Sequence, residues 1–156
     1  MKEILNFVQL TADVGTSGQP TVAQFKTIAE AGYAAVVNLA MPDSENAIAE
    51  EGSIVTGLGM RYVHIPVPFD SPSTDDLRLF IGTMDALQGR RQGARVWVHC
   101  AMNLRVSAFM YHYLHHAKGL DRRSSRSPVF ERWEPRMDAV WQNFMALTSE
   151  DIEMES

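Results

Sequence analysis

The sequence predicts one α/β domain, a mostly parallel central sheet flanked by helices on both faces. Short apolar runs alternate with stretches of helical periodicity along the chain. The run Ala34–Leu39 is apolar at successive positions, the mark of a strand covered on both faces. A length of 156 residues suits a single core, with roughly 70% of the unfolded surface buried.

The elements follow in order. Thr16-Ser17-Gly18-Gln19-Pro20 reads as a turn-rich loop. A helix is expected over Thr21–Ala31, with Val22, Phe25, Ile28 and Ala29 on one face. Gly32 ends it, because glycine takes positive φ without penalty. After the Ala34–Leu39 strand, Pro42-Asp43-Ser44 restarts the chain. A helix marked by Ala47, Ile48, Ile54 and Val55 follows, weakened at Gly52 and broken by Gly57-Leu58-Gly59. Tyr62–Ile65 is the second strand, stopped by Pro66 and Pro68. Ser73-Thr74-Asp75-Asp76 carries a capping-box pattern before the stripe Leu77, Phe80, Ile81, Met84, Leu87. Gly89–Gly93 is a polar break. Val96-Trp97-Val98 is the third strand and runs into His99-Cys100. The next helix carries Val106, Ala108, Phe109, Met110 and Leu114, so it is expected to be the most buried; Lys118-Gly119 closes it. A last helical element holds Phe130, Trp133, Met137, Val140, Trp141 and Phe144, with Pro135 in its first turn. The domain is expected to span residues 1–148, with an acidic tail over 149–156.

Composition excludes several function classes. The net charge of −5 argues against a nucleic-acid partner, which calls for a basic face. The run Arg122-Arg123-Ser124-Ser125-Arg126 reads as a solvated loop. One cysteine forbids an intrachain disulfide and fits a reducing compartment. No signal peptide is recognisable and no apolar stretch reaches membrane-span length, so a cytoplasmic location without a membrane partner is expected. Oligomeric state is not readable from the sequence.

The chemistry concentrates in Val98-His99-Cys100-Ala101-Met102-Asn103-Leu104-Arg105-Val106-Ser107. A strand delivers a cysteine to a tight loop, and an arginine follows at the start of a buried helix. Loop amides and a helix N-terminus converge on one spot and favour negative charge there. The same field favours thiolate over thiol at Cys100. Arg105 is a planar fork suited to two oxygens of a tetrahedral anion. Ala101, Met102, Asn103 and Leu104, with Arg105, are the expected anion-binding residues. Asn103 is suited to a positive-φ turn. His112, His115 and His116 have helical spacing compatible with a metal, but polar residues near a helix C-terminus account for them, and neither metal nor cofactor is expected.

His99-Cys100 followed by Arg105 and Ser107 resembles the signature loop of the protein tyrosine and dual-specificity phosphatases. The spacing through Ser107-Ala108-Phe109 is closer to a bacterial branch, the phosphatase-like domain associated with beta-lactamase-hydrolase-like proteins. Ser17-Gly18-Gln19-Pro20, Val36-Val37-Asn38-Leu39 and His64-Ile65-Pro66-Val67 also resemble that branch, over most of Leu10–Leu147. The resemblance implies a cysteine-phosphatase-like fold and hydrolysis of a phosphate monoester through a phosphocysteine. The substrate would be a phosphorylated small molecule or a phosphoprotein. Cys100 would be the nucleophile and Arg105 the clamp, with His99 and Ser107 in support. The general acid would be an aspartate roughly thirty residues upstream. Asp70 fits, 30 residues before Cys100, with Asp75 and Asp76 as competitors.

The loop departs from the family pattern: four residues, not five, separate Cys100 from Arg105. Either the loop is one residue short and Arg105 still clamps, or nothing is deleted and Val106 stands in the arginine's place. One helical residue is about 100° of rotation, so the second alignment loses the clamp. A phosphate-binding domain without catalysis, or a rhodanese-like sulfurtransferase with its shorter loop, are the alternative functions.

Overall fold

A computed structural model describes residues 1–89 and 93–153. Its strands are β1 (Val8–Gln9), β2 (Val14–Ser17), β3 (Ala35–Asn38), β4 (Arg61–His64) and β5 (Val96–His99). They form one sheet in the order β1-β2-β5-β3-β4, parallel except for β1 at the edge. The helices are α1 (Val22–Glu30), α2 (Glu51–Gly57), α3 (Thr74–Gln88), α4 (Leu104–His112), α5 (Phe130–Trp133), α6 (Ala139–Met145) and α7 (Ser149–Ile152).

Alternation along β5 sorts the core into two layers. Val96 and Val98 pack with Leu77, Phe80 and Met84 of α3, Val106 and Phe109 of α4, and Trp141 and Phe144 of α6. Trp97 faces the other way, with Phe25 and Ile28 of α1, Val55 of α2 and Tyr33. Each fully buried side chain of this size contributes roughly 1.5–3 kcal/mol, so both helical layers are held by the same central strands.

The ends of the elements follow their caps. The Thr21 side chain accepts from the Gln24 amide at 3.2 Å, and the Gln24 side chain returns to the Thr21 amide at 2.9 Å, so α1 starts on a full capping box. Only half of the expected box forms on α3: Ser73 Oγ accepts from the Asp76 amide at 3.0 Å.

Several expectations are corrected. β1 and β2 lie where no strand was foreseen, and Thr16 and Ser17 belong to β2 rather than a loop. Their hydroxyls are satisfied by Val8 O at 3.0 Å and Gly18 O at 2.6 Å, so polar residues can line a covered strand. α2 begins only at Glu51, leaving Ala47 and Ile48 outside it. The last helical segment is not continuous. α5 passes into a 3-10 turn, Glu134–Arg136, containing Pro135; Met137 is extended, and Asp138 caps α6 by accepting from the Trp141 amide at 3.0 Å. Within the expected acidic tail, Ser149–Ile152 is helical and Ile152 is buried. Residues 154–156 of that tail, and residues 90–92 of the Gly89–Gly93 break, lie outside the described residues.

Candidate active site

The parallel register lines up Ser17, His99, Asn38 and His64 at the carboxyl ends of β2, β5, β3 and β4. Ligands of open parallel sheets bind beyond such ends. Cys100 follows β5 there and is 1% exposed.

The loop after it is held by its carbonyls. Cys100 O faces His99 Nδ1 at 3.1 Å. Ala101 O accepts from the Gln19 amide and from Asn46 Nδ2, both at 3.1 Å. Met102 O accepts from Asn6 Nδ2 at 3.0 Å. In a planar trans peptide the N–H points opposite to the C=O. The amides of Ala101 and Met102 therefore point away from these outer partners. Among the described residues, the amides of Ala101, Met102, Leu104, Arg105 and Val106 donate to no protein acceptor. The last three open α4, whose N-terminus carries partial positive charge.

Asn103 makes the turn between loop and helix at φ 70°, ψ 7°. Left-handed backbone costs a non-glycine residue about 1–2 kcal/mol. Here the side chain is enlisted: fully buried, its Nδ2 donates to Asn6 O at 2.8 Å and Thr16 Oγ1 at 3.3 Å.

Arg105 sits in the first turn of α4 and is 6% exposed, turned into the protein. Its Nη1 donates to Val67 O at 2.9 Å, and its Cζ lies 5.6 Å from the Phe69 ring centroid. It thus reaches from α4 to the segment that carries Asp70. Val106, the other alignment's counterpart, is a core side chain. Asp70 is exposed and flanked by two anchors: Val67 O on Arg105, and Phe69 O accepting from Trp141 Nε1 at 2.7 Å. The rival Asp75 pairs with Arg78 in the first turn of α3; the Asp76 amide is taken by the Ser73 cap.

Behind the loop lies a buried polar network. His99 Nε2 faces Glu51 Oε2 at 2.7 Å, and Gln19 Nε2 donates to Glu51 Oε1 at 2.6 Å. Burial opposes the charged form of Glu51, but hydrogen bonds and charge from His99, with the bonds of Gln19 and Tyr62, hold its carboxyl below the usual range. Burial and the Glu51 charge push the Tyr62 hydroxyl up, against the Asn38 amide that donates to it at 3.0 Å, so it stays protonated. Sequence reasoning missed Glu51, Gln19 and Asn6. Only the start of α2 being brought under β5 singles out Glu51 from Asp43, Glu45 and Glu50.

Ser107 is not engaged with Cys100: its hydroxyl donates to Leu104 O at 2.6 Å within its own helix. The three histidines are apart from the loop. His112 Nε2 donates to Phe144 O at 2.7 Å, His115 Nδ1 to Leu120 O at 2.7 Å, and His116 Nδ1 meets Ser149 Oγ at 3.0 Å. No helix among the described residues is long and apolar enough to cross a membrane.

No protein-family model matches the sequence, and no curated protein does. Solved structures do. A candidate phosphatase of the DUF442 family from Shewanella putrefaciens CN-32 is 31% identical, with a TM-score of 0.82 over 96% of this chain and 94% of that one. Tk-PTP in its active form is 20% identical, with a TM-score of 0.71 over 95% of this chain and 97% of that one. TpbA of P. aeruginosa, in complex with pTyr, is 14% identical, with a TM-score of 0.69 over 96% and 86%. The last two show the shared fold. The identity and near-complete coverage of the Shewanella protein show more: this chain belongs to the DUF442 family of phosphatase-like proteins, built on the tyrosine and dual-specificity phosphatase fold.

Proposed function

We propose that the chain hydrolyses a phosphate monoester, of phosphotyrosine or dual-specificity type, through a phosphocysteine on Cys100. The observation that carries this reading is the loop itself: the carbonyls of Cys100, Ala101 and Met102 are bound from behind, the amides of Ala101 and Met102 donate to no protein acceptor, and a buried arginine stands in the first turn of the helix it opens. Such a cradle suits three equatorial phosphoryl oxygens, where negative charge spreads in the transition state. Arg105 holds two of them while its remaining N–H group on Val67 O keeps it registered against the Asp70 loop.

In the first step the Cys100 thiolate attacks phosphorus. The P–O ester bond breaks, and Asp70 gives its proton to the departing oxygen. In the second step water attacks phosphorus, Asp70 takes the proton back, and the S–P bond breaks to release phosphate and restore the thiolate. Asp70 is the acid in preference to Asp75 because Asp75 is already paired with Arg78.

The test is hydrolysis of an aryl phosphate by wild type, Cys100→Ser and Asp70→Asn. Cys100→Ser loses nearly all turnover. Asp70→Asn loses about 10²-fold or more, less with a good leaving group that needs no proton. Absence of turnover together with protection of the fold by vanadate points instead to a binding domain. Thiocyanate release from thiosulfate and cyanide points to sulfur transfer.

A further inference from the structure

We propose that Glu51 is a positioning residue for Cys100, acting through His99 as a buried carboxylate–imidazolium pair; this rests on the reading of Cys100 as a nucleophile.

Strand alternation sets the geometry. His99 and Cys100 are adjacent, so their side chains leave β5 on opposite faces. Cys100 goes with the α3–α4 layer. His99 goes with the α1–α2 layer, where the Phe25 ring lies edge-on at 5.8 Å and Glu51 opens α2. His99 is wholly buried and Glu51 is 3% exposed. Each ring nitrogen of His99 faces an acceptor, Nε2 the Glu51 carboxylate at 2.7 Å and Nδ1 the Cys100 carbonyl at 3.1 Å. An imidazole satisfies two acceptors only when both nitrogens carry protons. That form is a cation, and a buried cation is tenable only beside an anion. Glu51 is the one carboxylate in contact with it among the described residues.

The other oxygen of Glu51 is bound by Gln19, from the loop whose amide also pins Ala101 O. The remaining titratable group on the carboxylate is Tyr62 of β4, a neutral donor. The pair therefore has its positive end toward the cysteine loop and its negative end toward α2. The Nδ1 bond draws the Cys100 carbonyl backward, which aims the Ala101 amide forward into the cradle. Both effects favour the thiolate; the charge vanishes if the ring loses its proton, and the carbonyl bond then survives only in the tautomer protonated on Nδ1.

This predicts a sign opposite to simple charge counting. Deleting a carboxylate near a thiol makes the thiolate easier to form if the carboxylate acts directly. If Glu51 acts by keeping His99 charged, deletion makes it harder. Cys100 is the only cysteine, so alkylation by iodoacetamide as a function of pH reads it alone. In Glu51→Gln the rising limb moves up by about one pH unit, an approximately tenfold slower reaction on that limb. A limb that stays in place, or moves down, overturns the proposal. A second measurement on the wild type needs no variant to fold. Nitrogen-15 correlation spectra should show His99 with both ring nitrogens protonated at neutral pH, and one bare nitrogen overturns the proposal. A wild-type cysteine that reacts at no pH refutes the nucleophile reading itself, whereas an unmoved limb in a reactive protein refutes the role of Glu51 alone.

Discussion

Gly18 is the position where a single methyl group should report on the loop. It bridges antiparallel to Met102, and a Cβ built on it lies 2.5 Å from Ala101 O and 3.0 Å from Leu5 Cδ2. The conflict is one of space. Leu5 is a flexible side chain at the surface, but Ala101 O is backbone, held by the Gln19 amide and Asn46. Since real Cβ contacts do not fall below 3.0 Å, that carbonyl must retreat by at least about 0.5 Å. The peptide that retreats also carries the Met102 amide, and its other neighbour is Cys100. Overpacking of this kind costs about 1–3 kcal/mol, and at this chain length each kcal/mol lowers Tm by about 2–4 °C. Displacement of a catalytic frame by a fraction of an ångström to 1 Å costs up to about 10²-fold in turnover. Gly18→Ala is therefore expected to melt several degrees lower and to lose far more aryl phosphatase activity than its stability loss explains. Gly82→Ala is the control: a Cβ there meets nothing within 4 Å, and mid-helix alanine stabilises by roughly 0.5–1 kcal/mol. A Gly18→Ala protein with wild-type Tm and kcat/KM would show that the loop carbonyl yields freely, and the argument for a rigid cradle would fail.

Arg105→Lys keeps the charge but loses the fork; kcat/KM should fall by about 10²-fold or more in phosphatase assays, and a near-wild-type value would place the clamp elsewhere. Trp141→Phe removes the 2.7 Å bond to Phe69 O that steadies the Asp70 loop; the loss should be larger for poor leaving groups than for good ones, measured across a series of aryl phosphates. The buried His112 ring, pushed down to about 4 mainly by burial, should make stability pH-dependent. Its contribution is full above the ordinary value of 6.5 and is lost as pH falls toward 4, because the unfolded chain takes up a proton that the folded one refuses. The loss approaches about 3 kcal/mol, and urea unfolding at pH 7 and 4.5 should show a flatter dependence for His112→Gln. Glu51 acts in a lower window: its stabilisation is present above the ordinary value of 4.5 and is lost as pH falls below it, so Glu51→Gln should flatten that acid limb.

What the sequence determined by itself was local. Helical periodicity and the terminal Gly32 place α1, the stripe Leu77–Leu87 places α3, and the apolar run into His99-Cys100 places the cysteine at a strand end. Asn103 at the positive-φ turn was legible for the same reason: the constraint lies within one residue. Tertiary structure decided what depends on partners distant in sequence. Val14–Ser17 is too polar to read as a buried strand, and becomes one because β5 offers it a full parallel register while Trp97 Nε1 donates to the Ser17 hydroxyl at 2.9 Å. The direction of Arg105 was decided in space, where it turns inward to Val67 O, because helix phase alone does not say what lies opposite. Glu51 is one of four carboxylates in a polar stretch, and only the docking of α2 against the His99 face of β5 gives it a buried partner. Patterns within a few residues are written in the chain; the pairing of buried polar groups is written in the packing that brings them within 3 Å.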